Sequence, residues 1–173
     1  GICLGVSAWA ADDKKATKAF KVKKSDAEWK KQLSPMAYKV WRHEGTERSH
    51  TGKYWDEKRP GAYHCAGCDS KLFDAKTKYK SGTGWPSFWQ PIDKNAVGLK
   101  IDRKFFSTRT EVHCATCGGH LGHVFDDGPK PTGKRYCMNS VSMIHSADKG
   151  KDKGAAKGST ATVKKGSSKG SGK

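Results

Sequence analysis

The chain has 173 residues and a formal net charge of +17, because 34 lysine and arginine residues outnumber 17 acidic ones. This length is sufficient for one domain with a hydrophobic core and does not require a second domain. No stretch approaches the roughly 20 consecutive apolar residues that a membrane-spanning helix needs. We therefore expect a single soluble domain without a membrane span.

The first ten residues, GICLGVSAWA, are apolar and end in an A-x-A pattern at Ala8 and Ala10. This is typical of the end of a secretory signal peptide that is cleaved before Ala11, although the charged start of such a peptide is missing here. Residues 1–10 are thus interpreted as a signal-peptide remnant, which predicts an exported protein, periplasmic or secreted. If they are instead a small buried segment, the protein would be cytoplasmic.

Both ends of the remaining chain are rich in lysine and poor in apolar residues. We predict a flexible leader over residues 11–24 and a disordered tail over residues 146–173, because neither segment can offset the entropy of ordering by burying apolar surface. Much of the positive charge lies in these ends. The charge serves most simply to keep the chain in solution, and binding to nucleic acid or to an anionic surface is the alternative.

Two short helices are predicted at the start of the domain. Ser25 followed three residues later by Glu28 fits a capping box, and Ser34 followed by Pro35 places a proline at the first position of a second helix. After Gly45, glycines become frequent and the apolar runs become short. These features predict antiparallel β-structure for the middle of the chain.

Two strands carry specific predictions. Val97, Leu99 and Ile101 alternate with period two, which is typical of a half-buried strand. A later run would place every second residue on one face of another strand: Arg135, Cys137, Asn139, Val141 and Met143. A cation, a thiol and an amide would then lie side by side.

Four cysteines form two C-x-x-C pairs of identical spacing: Cys65, Cys68, Cys114 and Cys117. Two such pairs can close a tetrahedral zinc site that leaves no open position for chemistry. Structural disulfides and a redox-active dithiol are the competing interpretations, but a redox dithiol is expected at the start of a helix rather than in a glycine-rich β context. We therefore expect one structural zinc ion.

Cys137 stands outside these pairs. If Cys3 is removed with the signal peptide and the paired cysteines hold zinc, Cys137 is the one free thiol of the mature domain. A single cysteine is either a buried apolar residue or a reactive group. The sequence alone leaves both interpretations open at this point.

Two further segments have the composition of a site. SGTGWPSFWQP concentrates aromatic residues and prolines, which suits either the hydrophobic core or the wall of a small apolar pocket. His120 and His123 lie three residues apart beside a glycine-rich turn, where acid–base chemistry and a structural role are both reasonable.

Four blocks of the sequence resemble the signature blocks of the B-type peptide methionine sulfoxide reductases: GTERSHTGKYW, YHCAGC, SGTGWPSFWQP and RTEVHCATCGGHLGHVFDDGPKPTGKRYCMNSVSM. The resemblance extends from about Met36 to His145 and leaves out both ends of the chain. It implies a mainly β fold over residues 25–145, with two antiparallel sheets, short N-terminal helices and a structural zinc held by the four paired cysteines.

The resemblance also implies a chemistry for the single thiol. In this family the cysteine that corresponds to Cys137 attacks the sulfur of methionine sulfoxide, which yields methionine and a cysteine sulfenic acid. Arg135 would stabilise the thiolate, and Asp127 resembles the acidic partner that holds this arginine. The implied activity is reduction of the R epimer in oxidised proteins, and more weakly of the free amino acid.

The sulfoxide oxygen must be protonated as it leaves the substrate. The family pattern implies three residues as proton donors and orienting groups, namely His120, His123 and Asn139. It also implies that Trp85 forms the wall that receives the methyl group of the substrate. We expect oxidised proteins as substrates and a monomer as the active form.

Thr83 departs from the family pattern. Many members carry a resolving cysteine at this position, where it converts the sulfenic acid into a disulfide. Because threonine cannot form a disulfide, direct reduction of Cys137 by an external thiol donor such as thioredoxin is the first interpretation. Recruitment of Cys3, if the N-terminal segment is retained, is the second.

The rival function is a basic zinc-ribbon module that binds nucleic acid through its lysine-rich ends. It would explain the charge and the paired cysteines, but it would leave Cys137, the aromatic segment and the two histidines without a role. We therefore predict no specific nucleic-acid partner.

Overall fold

The computed structural model describes residues 19–104 and 107–147. Within these ranges the chain forms two α-helices, nine strands in two antiparallel sheets, and two short 3-10 turns. This confirms the predicted mainly β fold with short N-terminal helices. No helix in the described part of the chain is long and apolar enough to cross a membrane. The predicted signal-peptide remnant, Cys3 and the tail after Ala147 lie outside the described residues.

Both helices begin where the sequence predicts. Helix α1 covers Asp26–Gln32 and helix α2 covers Pro35–His43. Ser25 and Glu28 form the reciprocal hydrogen bonds of a capping box at the start of α1, and the hydroxyl of Ser34 caps α2. These local hydrogen bonds satisfy backbone donors that would otherwise be unpaired at the helix starts.

The strands form a small sheet and a large sheet. In chain order they are β1 (Gly61–Cys65), β2 (Lys71–Asp74), β3 (Lys78–Tyr79), β4 (Ser87–Phe88), β5 (Val97–Lys104), β6 (Ser107–Cys114), β7 (His120–Phe125), β8 (Arg135–Met138) and β9 (Met143–Ala147). The small sheet has the order β2-β1-β9, and the large sheet has the order β3-β4-β8-β7-β6-β5. All neighbouring strands are antiparallel, and β8 lies between β4 and β7.

Aromatic side chains join the two sheets. Tyr63 on β1 and Phe73 on β2 pack against Phe88 on β4, with ring centroids 4.9 and 4.4 Å from that of Phe88. All three side chains are fully buried, and Trp29 and Trp41 of the two helices belong to the same core. Removing one aromatic ring from such a core costs about 3–5 kcal/mol.

Strand β5 exists as predicted, but the prediction that it is half buried is wrong. Val97 is buried, whereas Leu99 and Ile101 are 55% and 54% exposed. The strand lies at the edge of the large sheet, and after Val97 no part of the described chain buries this apolar face. Alternation reports which side chains share a face of a strand, but it does not report whether another element packs on that face.

The predicted common face from Arg135 to Met143 is also wrong in its second half. Strand β8 ends at Met138, and a 3-10 turn (Ser140–Ser142) separates it from Met143, which starts β9 of the other sheet. The turn forms because the carboxylate of Glu47 accepts its backbone N–H groups, which a continued strand would donate to a neighbour.

The ends of the domain differ slightly from the predicted 25–145. The backbone N–H of Val22 donates to the carbonyl of Thr116 over 3.0 Å, and the ring of Phe20 contacts His113. At the other end, β9 continues to Ala147 and pairs with β1. The packed domain therefore includes a few residues that the sequence pattern assigns to the leader and the tail.

Candidate active site and metal centre

The four paired cysteines lie at the ends of two strands from different sheets. Cys65 ends β1 and Cys114 ends β6, and each is followed by the turn that carries the second cysteine of its pair. The Sγ atoms of Cys65 and Cys117 are 3.6 Å apart, as are those of Cys68 and Cys114. All four Sγ atoms lie within 4.8 Å of one another. The cluster therefore connects the small sheet with the large sheet.

The geometry of this cluster fits a metal ion. In a tetrahedral site with Zn–S bonds of about 2.3 Å, neighbouring sulfurs are about 3.8 Å apart. All four cysteines are free, as opposed to the bonded pairs that structural disulfides would require. Neither C-x-x-C pair starts a helix, which removes the main feature expected of a redox-active dithiol. The four cysteines are thus positioned to hold a metal ion.

Cys137 lies on β8 and lines a separate cavity of about 290 Å³. Its neighbours in the sheet are Ser87 on β4 and His123 on β7. Five of the residues predicted for the site line this cavity: Trp85, His123, Arg135, Cys137 and Asn139. Because they come from two strands, β7 and β8, and from the segments before β4 and after β8, only the folded sheet brings them together.

The guanidinium of Arg135 is held at the cavity by Asp127. Its Nε and Nη2 atoms donate to the two carboxylate oxygens of Asp127 over 2.8 Å each, a bidentate pair that orients the planar group. These hydrogen bonds lower the pKa of Asp127. The guanidinium also stacks over the ring of Phe125 at 4.3 Å. The cation is therefore fixed in position next to Cys137 before any substrate binds.

Opposing effects act on the Cys137 thiol. Burial raises the pKa of Cys137, while a hydrogen bond with Thr83 and the positive charge of Arg135 oppose this rise. The hydroxyl of Thr83 lies 3.9 Å from the sulfur, and the hydroxyl of Ser81 connects it to that of Ser87. Thr83 thus occupies the position beside Cys137 where a second thiol would be in reach.

The two histidines have different surroundings. His123 lines the cavity, and its Nε2 lies 2.9 Å from a carboxylate oxygen of Asp102, which also accepts from Arg109 over 3.0 Å. Burial lowers the pKa of His123, and the hydrogen bond to Asp102 opposes this effect. His120 does not line the cavity, and its Nδ1 lies 2.8 Å from Glu111. It reaches the site only through its ring contact with His123, at 5.4 Å between centroids.

Glu47 is buried and connects two walls of the cavity. Its backbone carbonyl accepts from the indole N–H of Trp85, and its backbone N–H donates to the amide oxygen of Asn139, both over 3.0 Å. The other end of that amide donates to the carbonyl of Leu121. The sequence patterns did not single out Glu47, Asp102 or Arg109. Glu47 lies within the GTERSHTGKYW block and Arg109 begins the RTEV block, whereas Asp102 lies outside the blocks.

Replacing Glu47 with glutamine is expected to weaken both the fold and the site. Each carboxylate oxygen of Glu47 accepts one backbone N–H of the 3-10 turn. In glutamine one of these oxygens becomes an NH₂ group, a donor that would face an N–H, and the charge that strengthens such hydrogen bonds to about 1.5–3 kcal/mol is lost. We expect a lower melting temperature and roughly tenfold lower kcat/KM, because loss of the anchor to the turn lets the backbone of residue 47, which positions Asn139 and Trp85, shift. Glu57→Gln is the matched control, since Glu57 pairs with Arg59 outside the cavity. Equal stability of the Glu47 and Glu57 variants would contradict this role.

The fold and the cavity define a mainly β protein with a four-cysteine centre and, separate from it, a cysteine that shares a cavity with an arginine. The family model of the SelR domain matches residues 33–147. Because this match covers more than half of the sequence, the chain belongs to the SelR-domain family.

Curated relatives carry a name that describes their activity. The peptide methionine sulfoxide reductase MsrB of Hahella chejuensis is 55% identical over 129 residues, which cover 74% of this chain and 93% of that protein. The chloroplastic peptide methionine sulfoxide reductase B1 of Arabidopsis thaliana is 55% identical over 130 residues, 74% of this chain and 64% of that protein. MsrB of Methylibium petroleiphilum is 52% identical over 126 residues, 73% of this chain and 91% of that protein.

Proposed function

We propose that the protein reduces the R epimer of methionine sulfoxide in oxidised proteins to methionine, with Cys137 as the nucleophile. The observation that carries this proposal is the position of Cys137, which lies outside the four-cysteine cluster and shares a cavity with Arg135 and Trp85. The relatives named as peptide methionine sulfoxide reductases support the same activity.

In the proposed reaction the Cys137 thiolate attacks the sulfoxide sulfur while a proton is delivered to the oxygen. The oxygen then leaves the substrate sulfur and ends on Cys137, so the thiol is oxidised to a sulfenic acid as the sulfoxide is reduced to a thioether. Arg135, held by Asp127, stabilises the thiolate against the effect of burial. The methyl group of the substrate packs against Trp85.

His123 is the proposed proton donor, because it is the histidine that lines the cavity. A carboxylate can only accept hydrogen bonds, so Nε2 of His123 donates its proton towards Asp102. The proton for the sulfoxide oxygen therefore comes from Nδ1 of the doubly protonated ring, a cation that the hydrogen bond to Asp102 stabilises against the effect of burial. Asn139 and His120 are the proposed orienting groups. Asn139 lines the cavity itself, whereas His120 acts by its contact with the His123 ring.

Zinc is the proposed occupant of the four-cysteine centre. Four thiolates at tetrahedral spacing suit this ion and leave it without an open coordination position. The metal would therefore stabilise the fold and take no part in the reaction. Its four ligands would be Cys65, Cys68, Cys114 and Cys117.

A one-cysteine cycle is the proposed route of recycling. Thr83 lies beside Cys137 and cannot form a disulfide, and the other described cysteines belong to the metal centre. A sulfenic acid on Cys137 would then be reduced by an external thiol donor such as thioredoxin, directly or through a mixed disulfide.

Chiral analysis of the product tests the proposed function. Each epimer of methionine sulfoxide has its own enzyme class, so we expect the purified protein with dithiothreitol to consume the R epimer and to leave the S epimer unchanged. The measurement is chiral chromatography of a racemic N-acetyl-methionine sulfoxide mixture over time. Equal consumption of both epimers, or of neither, would contradict the proposal.

The pH at which kcat/KM rises is expected to depend on Arg135. Since burial raises the pKa of Cys137 and the Arg135 cation opposes this, kcat/KM should increase with pH as the thiolate forms. Arg135→Met removes this positive charge, so kcat/KM of the variant should rise at a higher pH than that of the wild type. Lys134→Met is the control, because Lys134 is an exposed cation that pairs with Asp126. Superimposable profiles for the wild type and Arg135→Met would exclude this role.

A further inference from the structure

A second cavity, of about 310 Å³, adjoins the Cys137 cavity. We call it the flank groove and define it by its lining residues, which are His50, Trp55, Asp56, Lys80, Ser81, Gly82, Gly84 and Trp85. We propose that the flank groove binds the polypeptide on one side of the methionine sulfoxide, and that it takes an aromatic or large aliphatic side chain against Trp55. The inference rests on the proposed function and adds a preference among peptide substrates.

The two cavities share one lining residue. Trp85 lines both, so a substrate whose methyl group contacts this indole lies at the edge of the flank groove. The loop at residues 46–55 also serves both cavities, since Thr46 lines the first and His50 and Trp55 line the second. A polypeptide that places one side chain in the Cys137 cavity therefore passes along the opening of the other.

The loop is held firmly against the turn at residues 81–84. The backbone N–H of His50 donates to the carbonyl of Gly84 over 2.8 Å, and the hydroxyl of Ser49 donates to the carbonyl of Thr83 over 2.7 Å. Gly84 has a φ of +84°, and a Cβ there would lie 2.1 Å from Ser49 and 2.3 Å from His50. The flank groove is thus preformed, which lowers the entropic cost of binding a peptide.

The side chains of the groove suit a substrate that has an apolar residue next to an acidic one. Trp55 is 38% exposed although its ring packs on His50, with centroids 5.1 Å apart. An exposed tryptophan in a concave site is a typical anchor for a partner side chain. Asp56 pairs with Lys58, whereas Lys80 forms no ion pair within the described residues. An acidic residue of the substrate would therefore find an unpaired cation at Lys80.

Chain geometry limits the distance between the two bound side chains. An extended polypeptide advances roughly 3.3–3.6 Å per residue. Because the cavities share the indole of Trp85, the anchored side chain belongs to one of the first few positions beside the sulfoxide. A free methionine sulfoxide derivative has no such residue and cannot use the groove.

The experiment compares a small substrate with peptides in single turnover without a reductant. The substrates are N-acetyl-methionine sulfoxide and a set of peptides in which one phenylalanine moves through the positions on either side of the sulfoxide, with glycine elsewhere. We expect Trp55→Ala to lower the second-order rate constant for the preferred peptide about tenfold and to change that for the N-acetyl compound less than twofold. Trp55→Phe should retain most of the peptide rate.

Ile144→Ala is the matched control, because Ile144 is an exposed apolar residue on β9 outside both cavities. It should leave both rate constants unchanged. Wild-type peptide rates that do not depend on the position of the phenylalanine, or a Trp55→Ala variant with unchanged peptide rates, would overturn the proposal. Equal losses on both substrates, together with a lower melting temperature, would assign Trp55 a structural role and overturn it as well.

The reductant is the other possible occupant, and the same variants test it. Oxidised Cys137 is reduced by thioredoxin or by dithiothreitol in a separate half-reaction. A Trp55→Ala defect that is confined to thioredoxin would identify the groove as a reductant site and contradict the proposal. Failure of the wild type to reduce the N-acetyl compound would instead contradict the proposed function, so the two failures are distinguishable.

Discussion

Replacing Cys137 with serine is expected to reduce the turnover of methionine sulfoxide at least about a thousandfold, because a hydroxyl is a far weaker nucleophile than a thiolate at neutral pH. The fold and the metal content should be unchanged, since Cys137 lies outside the four-cysteine cluster. The measurements are steady-state turnover, metal analysis and thermal melting. Cys137→Ala should show the same loss of activity.

The oxidation product provides an independent check on Cys137. Treating the wild type with one equivalent of methionine sulfoxide, in the absence of reductant, should produce a sulfenic acid that dimedone traps on this residue. The serine variant should form no adduct. Turnover that survives in the variant would refute the assignment of the nucleophile, and a disulfide between Cys137 and a metal-centre cysteine would refute the one-cysteine cycle.

Replacing Cys114 with serine is expected to release the metal and to destabilise the whole domain. Binding of structural zinc contributes about 10–16 kcal/mol in small zinc-dependent peptides, and here the cluster joins the ends of β1 and β6 from different sheets. We therefore expect a loss of several kcal/mol of unfolding free energy and a substoichiometric metal content. Cys65→Ser should behave in the same way, because it removes a ligand from the other pair.

Cys137→Ser is the matched control for this second experiment, since it also replaces one cysteine but leaves the cluster intact. The two kinds of variant should therefore differ in their defects. Cys137→Ser should lose activity and keep normal stability, whereas Cys114→Ser and Cys65→Ser should lose metal and stability. Protein that is purified without metal and melts at the wild-type temperature would contradict a structural metal centre.

Features that depend on neighbouring residues were predictable from the sequence. The capping box at Ser25 and Glu28 and the proline at the start of α2 act within a single helical turn, so the pattern and the structure agree. The spacing of the paired cysteines likewise determines which ligands one turn can offer. Such patterns can be read directly because the groups that interact are a few residues apart.

Features that depend on distant partners were not predictable in this way. Glu47 bonds to Asn139, which is 92 residues away, and its carboxylate holds the turn after β8. It lies within the GTERSHTGKYW block, but neither its residue type nor its spacing indicates that it is buried or which residues it contacts. Asp102 is the partner of His123 only because β5 and β7 lie on either side of β6. Which residues support the site is therefore determined by contacts between segments that are distant in the sequence.

Short-range spacing and the types of side chain present thus determined the helix starts and the two C-x-x-C pairs, and they were sufficient to indicate the family. The folded sheet determined which of those residues meet. It places His123 beside Cys137 and keeps His120 outside the cavity, and it leaves the alternating apolar face of β5 exposed at Leu99 and Ile101. The physical reason is that a one-dimensional pattern reports the direction of a side chain relative to its own strand, whereas burial and contact depend on the element that packs against it.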